Sequence, residues 1–466
     1  MIPGLLLLFA SESVDIEEAL KKFTAVYTLV ERQAATPVNP HQAVFEGAIP
    51  GMLRRLDPHS VFFPPEQFEQ LKEMEKSTHK GFGTVVSVLP GRVIVLQTLP
   101  GTPSARAGIA AGDEIIAING VRLDWLDMEQ LVGLLSEARQ REAKLDVRRP
   151  GSARSLPFTM APEQLASESV DRHFLLRPGV GYARVTSFES ETPRQLREAV
   201  EKLGGRQLEA LVLDLRNNPG GLLPSALETA AMFLRPGTKI LTIRGRATEP
   251  DDIKVPDAAE PYPFPVVVLI NGKSASGAEI VAGALQDHKR AAIVGEPSFG
   301  KGLVQSVYPL AGGTGLALTT AFYFTPNGRS IQRPLGGTQL EDVTRAQTAG
   351  GIHPDHSVPP PAQTRLRIVL EASGSVTSFA TEFLRAAPNP AANFEVSPTL
   401  MDRFQAWLSD RNIRPGVSQW FADADWIRRR LKQEIHTLAF GVAKGDEIEM
   451  RDDAQVRKAL EVLEVR

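Results

Sequence analysis

The sequence predicts an α/β multidomain protein: a mixed-sheet α/β core, an inserted β-rich module, and helical N- and C-terminal regions. Three observations predict it. From about residue 170, strand-like and helix-like runs alternate, which is the pattern of a sheet with covered faces. Residues 79–162 are rich in Val, Ile and Gly with turn signals every few positions, as several short strands require. At both ends, apolar residues recur at helical spacing. At 466 residues the chain is too long for one core.

The elements follow in order. Residues 1–78 form a helical lead-in. Ile16, Leu20, Phe23, Tyr27 and Val30 share one face, with Ser13 or Asp15 as cap, and a second helix ends at Asp57-Pro58. The first residues, "MIPGLLLLFASES", carry a short apolar run over 5–10 with no Lys or Arg before it. A short signal at 1–10, a clipped signal and a buried segment all fit, and export to a periplasm or cell envelope is the expectation. Residues 79–162 form the β module, with "DMEQLVGLLSEARQ" as its helix. In 163–384, "GVGYARV", "ALVLDLR", "PVVVLIN", "AAIVG" and "LALTTAFYF" read as strands, separated by helices such as "SGAEIVAGALQD". Residues 385–466 turn helical again. Ile427, Leu431, Ile435 and Leu438 mark one amphipathic helix with Asp423 or Asp425 as cap, and "DDAQVRKALEVL" marks another.

Composition excludes several classes. The net charge is −3, so nucleic acid is not an expected partner. There are no cysteines, which removes disulfides, Cys-ligated zinc and a thiol nucleophile. "HPDH" at 353–356 lacks an accompanying Glu/His cluster and reads as a solvated loop, so neither a metal nor a cofactor is expected.

"GEPSFGKG", residues 295–302, matches a phosphate loop except that Gly302 replaces the final Ser or Thr. Such a loop needs a helix behind it to supply amides and dipole. Here "LVQSVYPL" follows, β-branched and ending at Pro309, and the Mg²⁺-binding hydroxyl is missing. Lys301 therefore calls for a different role.

One strand–helix unit earlier, Ser276 stands where "PVVVLINGKSASGAEIVAGALQD" passes from strand to helix. The helix dipole and first-turn amides favour negative charge there, and the Gly277 amide is placed to donate to an oxyanion. A serine also suits plain N-capping, and on this segment alone that reading prevails. "DLRNNPGGLL" has the same shape, and amides of Gly220 or Gly221 would supply the other half of an oxyanion hole, or form a simple turn. His288 lies three turns down the same helix, ~18 Å from Ser276, too far to serve as its base. A lysine replaces histidine when burial brings its pKa down to about 7 to 8, a change worth about 4 kcal/mol.

"SASGAEIVAGALQD" followed by "GEPSFGKGLVQ" closely resembles the carboxyl-terminal processing peptidases, or tail-specific proteases, serine endopeptidases of the Ser–Lys type. "EGAIPGMLRRLDPHS", "GFGTVV" with "PSARAGIAAGDEIIAING", "DLRNNPGGLL", "TPNGRSIQ" and "GGIHPD" stand in that family's order. The resemblance implies a serine protease core at 163–384 with an inserted PDZ-like domain at 79–162. It implies Ser276 as nucleophile, Lys301 as general base and Gln305 orienting the lysine, with Gly277 and Gly220 or Gly221 as oxyanion donors. Gly277-Ala278 departs mildly from the family's usual Ala-Ser. In a straight strand Lys301 and Gln305 would sit ~13 Å apart, so their contact implies either a bend, as at Gly302, or long side chains leaning together.

The PDZ-like module implies selection of polypeptides by a free, apolar C-terminus. The carboxylate would enter a nest at Gly81, Phe82, Gly83 and Thr84, with Met128, Leu131 and Leu135 of the helix opposite. An adaptor or regulatory protein and a homo-oligomer are further expected partners. The alternative is a PDZ-based scaffold that binds C-termini while its protease core is autoinhibited or inactive.

Overall fold

The computed structural model describes residues 16–465 apart from 75–77, 90, 150, 151, 153, 167 and 342–349. The expected signal at 1–10 and the caps Ser13 and Asp15 lie outside the described residues. The chain forms two compact units.

The smaller unit comprises Met1–Phe68, Gln305–Thr319 and Leu335–Glu341. It carries helix Ile16–Gln33, whose apolar Ile16, Leu20, Val26 and Leu29 are exposed. Helix Ile49–Leu56 ends because Asp57 turns the chain: its carboxylate accepts from the N–H groups of His59 and Ser60 and from the Ser60 hydroxyl. Strand Val61–Phe63 then pairs antiparallel with Gly315–Ala317. Gly315 is required there, since a Cβ would stand 2.2 Å from the Phe68 ring.

The larger unit is built on a six-stranded sheet. Its order is Val170–Arg177, Val180–Val185, Ala210–Asp214, Val266–Ile270, Ala291–Gly295 and His356–Ser357, antiparallel at the first pair and parallel thereafter. The three central strands are buried along their whole length, as a doubly covered parallel sheet demands. Alternate residues serve opposite layers. Leu211, Leu213, Val266 and Val268 pack with helices Thr192–Leu203, Leu223–Ala231 and Gly277–Asp287. Val212, Val267 and Leu269 pack with Val456, Ala459 and Val462 of helix Ala454–Glu464. That last helix starts where the Asp453 carboxylate accepts from the N–H groups of Gln455 and Val456.

A hairpin of Lys239–Gly245 and Thr248–Lys254 lies outside this sheet and pairs through Thr242 and Ile243 with Phe324 and Tyr323. Composition had not marked it, because its second strand, "TEPDDIK", is charged.

The β module has its own sheet, in the order Thr84–Leu89, Arg92–Thr98, Glu114–Ile118, Ala143–Arg148 and Leu156–Met160, with helix Met128–Ala138. The chain enters through Thr78–Gly81 and leaves through Glu163–Ala166, which pair antiparallel. Entry and exit therefore lie side by side, the geometry of an inserted module.

C-terminal helices Arg365–Ala372, Ser375–Ala386, Pro398–Asp410 and Val417–Phe440 share one apolar core. The Ile427 helix starts at Val417, so Asp423 is not its cap. It is buried mid-helix and accepts from Arg367 Nε at 2.7 Å and from the Thr364 hydroxyl, tying this helix to the first of the four.

Candidate active site

Parallel strands deliver their C-terminal ends to one edge of a sheet, where ligands bind in open α/β folds. Three turns leave that edge here. They follow Ala210–Asp214, Val266–Ile270 and Ala291–Gly295.

The second turn carries Ser276, at φ 53° and ψ −113°. This conformation is costly for a residue with a Cβ, by about 1–3 kcal/mol, and needs support from its surroundings. Support comes from both sides. The Ala275 N–H donates to the Asn218 carbonyl at 2.9 Å, and the Ser276 N–H donates to Glu279 Oε2 at 2.8 Å. The helix Gly277–Asp287, rich in Ala, Leu and Ile, follows at once. Ser276 occupies the N-cap position, yet its Oγ makes no capping bond. The Glu279 N–H goes to the Ser276 carbonyl instead, at 2.9 Å. The residue is half-buried, and its hydroxyl has no hydrogen-bond partner among the described residues.

The first turn is tied to the second. Ser274 Oγ donates to the Leu215 carbonyl at 2.7 Å, and the Asn217 N–H donates to Asn271 Oδ1 at 3.0 Å. Gly220, at φ 100°, backs directly onto the serine: a Cβ would stand 2.7 Å from Ser276 Cβ and 3.0 Å from the Gly277 nitrogen. The Gly220 N–H is taken by Asn218 Oδ1 at 2.8 Å. The amides of Gly221 and Gly277 have no hydrogen-bond partner among the described residues. Gly277 begins its helix against Phe188, whose ring would lie 2.9 Å from an added Cβ.

The third turn carries Lys301. Strand Leu303–Pro309 follows it, not a helix, and Lys301 itself lies in the loop before that strand. The left-handed residue is Gly300, at φ 91°, so the chain bends one residue before the lysine and not at Gly302. The Phe299 N–H donates to the Ser274 carbonyl at 2.9 Å, joining this turn to the serine turn.

Glu279 organises both turns and was not singled out by sequence reading. It is fully buried. Its Oε1 accepts from Ser298 Oγ at 2.5 Å and the Gly300 N–H at 2.7 Å, and its Oε2 accepts from the N–H groups of Ser276 and Lys301, each at 2.8 Å. Two bonds of 2.8 Å to one oxygen hold those nitrogens within 5.6 Å (2.8 plus 2.8) of each other. Burial pushes the Glu279 carboxyl up, against the four donors that favour the carboxylate. The sequence signal was available: Ser-x-x-Glu at a helix start is a capping-box pattern.

The Lys301 side chain is half-buried, and burial holds its amine below the ordinary lysine value. Among the described residues it has no carboxylate partner. Ser276, Gly277, Gly220, Gly221 and Lys301 are thus gathered at one sheet edge. Gln305 belongs to the smaller unit, where its Nε2 donates to the His59 carbonyl at 2.6 Å. Asp214 and Arg216 form a buried ion pair that also takes the Tyr182 hydroxyl and Asp453. Asp355 of the "HPDH" stretch accepts from the Ile293 N–H at 2.8 Å and so serves the sheet.

In the β module, Gly81 ends its strand and Phe82, Gly83 and Thr84 lead into Thr84–Leu89, an edge strand. Gly83, at φ 75°, has no room for a Cβ, which would stand 2.2 Å from the Thr102 side chain. The helix opposite presents Met128, 40% exposed, and the half-buried Leu135, whereas Leu131 is fully buried in the module's core.

Residues 179–356 match the family model described as peptidase family S41, and residues 94–149 match a PDZ domain model. The chain is 36% identical over 320 residues to a carboxy-terminal-processing protease of Bartonella bacilliformis, covering 67% of this chain and 72% of that one. It is 32% identical over 313 residues to a carboxyl-terminal-processing protease of a Synechocystis species, covering 66% and 73%. A solved structure described as a photosystem II D1 C-terminal processing protease aligns at 27% identity and a TM-score of 0.43, over 73% of this chain and 87% of its own.

Proposed function

The chain belongs to the carboxyl-terminal processing proteases of peptidase family S41, and from that premise we propose that Ser276 is its nucleophile and Lys301 its general base. The protein is a serine-type peptidase acting on polypeptides. The observation that carries the dyad is the shared Glu279 Oε2, which fixes the backbones of both residues together.

The neutral Lys301 amine takes the proton of Ser276 Oγ as that oxygen bonds to a peptide carbonyl carbon. The carbonyl π electrons move to its oxygen, and amides of Gly277 and Gly221 stabilise the resulting oxyanion. Gly220, whose N–H is held by Asn218, shapes the turn from behind. Collapse breaks the C–N bond, and the Lys301 ammonium returns its proton to the leaving amine. Lys301 then deprotonates a water that hydrolyses the acyl-enzyme. At rest neither Ser276 Oγ nor Lys301 Nζ has a hydrogen-bond partner among the described residues, and substrate binding would draw them into contact. Gln305 is carried over from the family resemblance as the residue that orients the lysine; its amide nitrogen donates to the His59 carbonyl.

The edge strand Thr84–Leu89 accepts the substrate tail as an added strand, with the amides at Gly81, Phe82, Gly83 and Thr84 receiving its carboxylate. Met128 and Leu135 form the accessible part of the opposite wall, with Leu131 behind them. Export to a periplasm or cell envelope, an adaptor or regulatory protein and self-association belong to this reading. No helix among the described residues is long and apolar enough to cross a membrane. The reading is tested by cleavage of an unstructured polypeptide with an apolar C-terminus: wild-type rates in Ser276→Ala or Lys301→Ala would refute it.

A further inference from the structure

A cavity of about 550 Å³, sharing no lining residue with the three catalytic turns, lies where the β module meets the C-terminal helices. Its volume is that of a small-molecule site. One wall is the module's: Arg92 and Ile94 on one strand, Glu114, and Arg148 and Arg149 at the end of another. The other is helical: Ser375, Ser378 and Arg385 on Ser375–Ala386, then Trp407 and Arg411. The walls touch, since Arg92 Nη1 donates to Ser378 Oγ at 2.9 Å.

Five guanidiniums face this space, and their carboxylate partners are fewer. Glu114 serves both Arg92 and Arg148, at 2.8 and 3.4 Å. Asp113 pairs with Arg149 at 2.7 Å, and Glu382 with Arg411 at 2.9 Å. Arg385 has no ion pair among the described residues. Five cations less three carboxylates leave two positive charges. Arg411 is also stacked 3.6 Å from the Trp407 ring centroid, and Trp407 Nε1 donates to Glu382, which fixes that side of the cavity.

We propose that this cavity binds a phosphate monoester dianion and so clamps the β module to the helices. A phosphate monoester carries about −1.5 to −2 at neutral pH, matching the two uncompensated charges. Guanidinium forks take phosphate oxygens bidentately, and the hydroxyls of Ser375 and Ser378 supply shorter donors beside them. The same headgroup chemistry occurs in soluble phosphate esters and in an anionic lipid.

Calorimetric titration of the full chain with inorganic phosphate, at fixed ionic strength, tests this. One saturable site is expected, weakened about tenfold in Arg385→Ala and in Arg148→Ala, each checked for folding by its melting curve. No saturable binding, or equal affinity in both folded variants, overturns it. Saturable binding of succinate without binding of phosphate also overturns it. Phosphatidylcholine vesicles doped with phosphatidic acid separate the sources. Sedimentation with the parent but not with Arg385→Ala supports a lipid headgroup, and binding of glycerol phosphate without sedimentation supports a soluble ester. The titration reads binding alone, so its failure would leave the peptidase assignment untouched.

Discussion

The backbone N–H groups of Ser276 and Lys301 converge on one atom, Glu279 Oε2, each at 2.8 Å. Twenty-five residues apart in sequence, the proposed nucleophile and base are thereby held to one buried acceptor. Glu279→Gln keeps the side chain's shape but replaces one acceptor oxygen with an NH₂ that faces two donors. We expect kcat to fall about a hundredfold, equivalent to ~2.7 kcal/mol, with a lowered melting temperature. A misplaced lysine should also move the midpoint of the pH–rate profile, which a purely structural loss would leave in place.

As the proposed base, Lys301 must be neutral to act. Burial lowers the Lys301 pKa, so activity should rise with pH through that lowered value as the amine loses its proton, then level before the ordinary lysine range is reached. The unfolded chain holds this proton more tightly than the folded one, so between the lowered and the ordinary lysine pKa, stability rises with pH. Lys301→Ala should remove both trends, and Lys301→Arg should remove the activity, because arginine does not deprotonate. A profile that keeps its rising limb in Lys301→Ala would show that another group is the base.

Gly220 leaves no room for a side chain beside Ser276. Gly220→Ala should cut kcat by about a hundredfold or more by displacing Ser276 and the adjacent amides. Gly133→Ala is the control: it meets no atom within 4 Å on the exposed face of helix Met128–Ala138, and should be neutral or stabilise by about 0.5–1 kcal/mol. Steady-state kinetics and melting curves on both variants separate the effects.

Tail recognition should appear in KM. Amidating the C-terminus of a model substrate removes the charge that the Gly81–Thr84 amides would hold, and we expect KM to rise about tenfold with kcat little changed. An unchanged KM would remove the edge strand Thr84–Leu89 from substrate selection.

Much of the fold was legible in the sequence because the central strands are continuous apolar runs and the motifs stand at strand ends. Ser276 and the paired glycines stood out as strand-end turns, but Ser276 alone read as an N-cap, and only the family resemblance joined it to Lys301. Glu279 was visible as a helix-start acid, but its reach to the Gly300 and Lys301 amides is tertiary and has no local signal. The choice between the Gly220 and Gly221 amides turns on where Asn218 points its side chain, which sequence does not encode locally. Asp423 looked like a cap because caps and buried ion-pair acids share one residue type, and only Arg367 on another helix distinguishes them.

If Ser276 carries the acyl group and Lys301 activates it, the acyl-enzyme can be trapped on that serine. Rapid acid quenching during turnover of a peptide ester, followed by mass spectrometry of the digested enzyme, tests it most directly. An acyl adduct is expected on the peptide containing Ser276 in the parent, with at least about a thousandfold slower adduct formation in Lys301→Ala. An adduct on another residue, or one formed at the parent rate without Lys301, would contradict it.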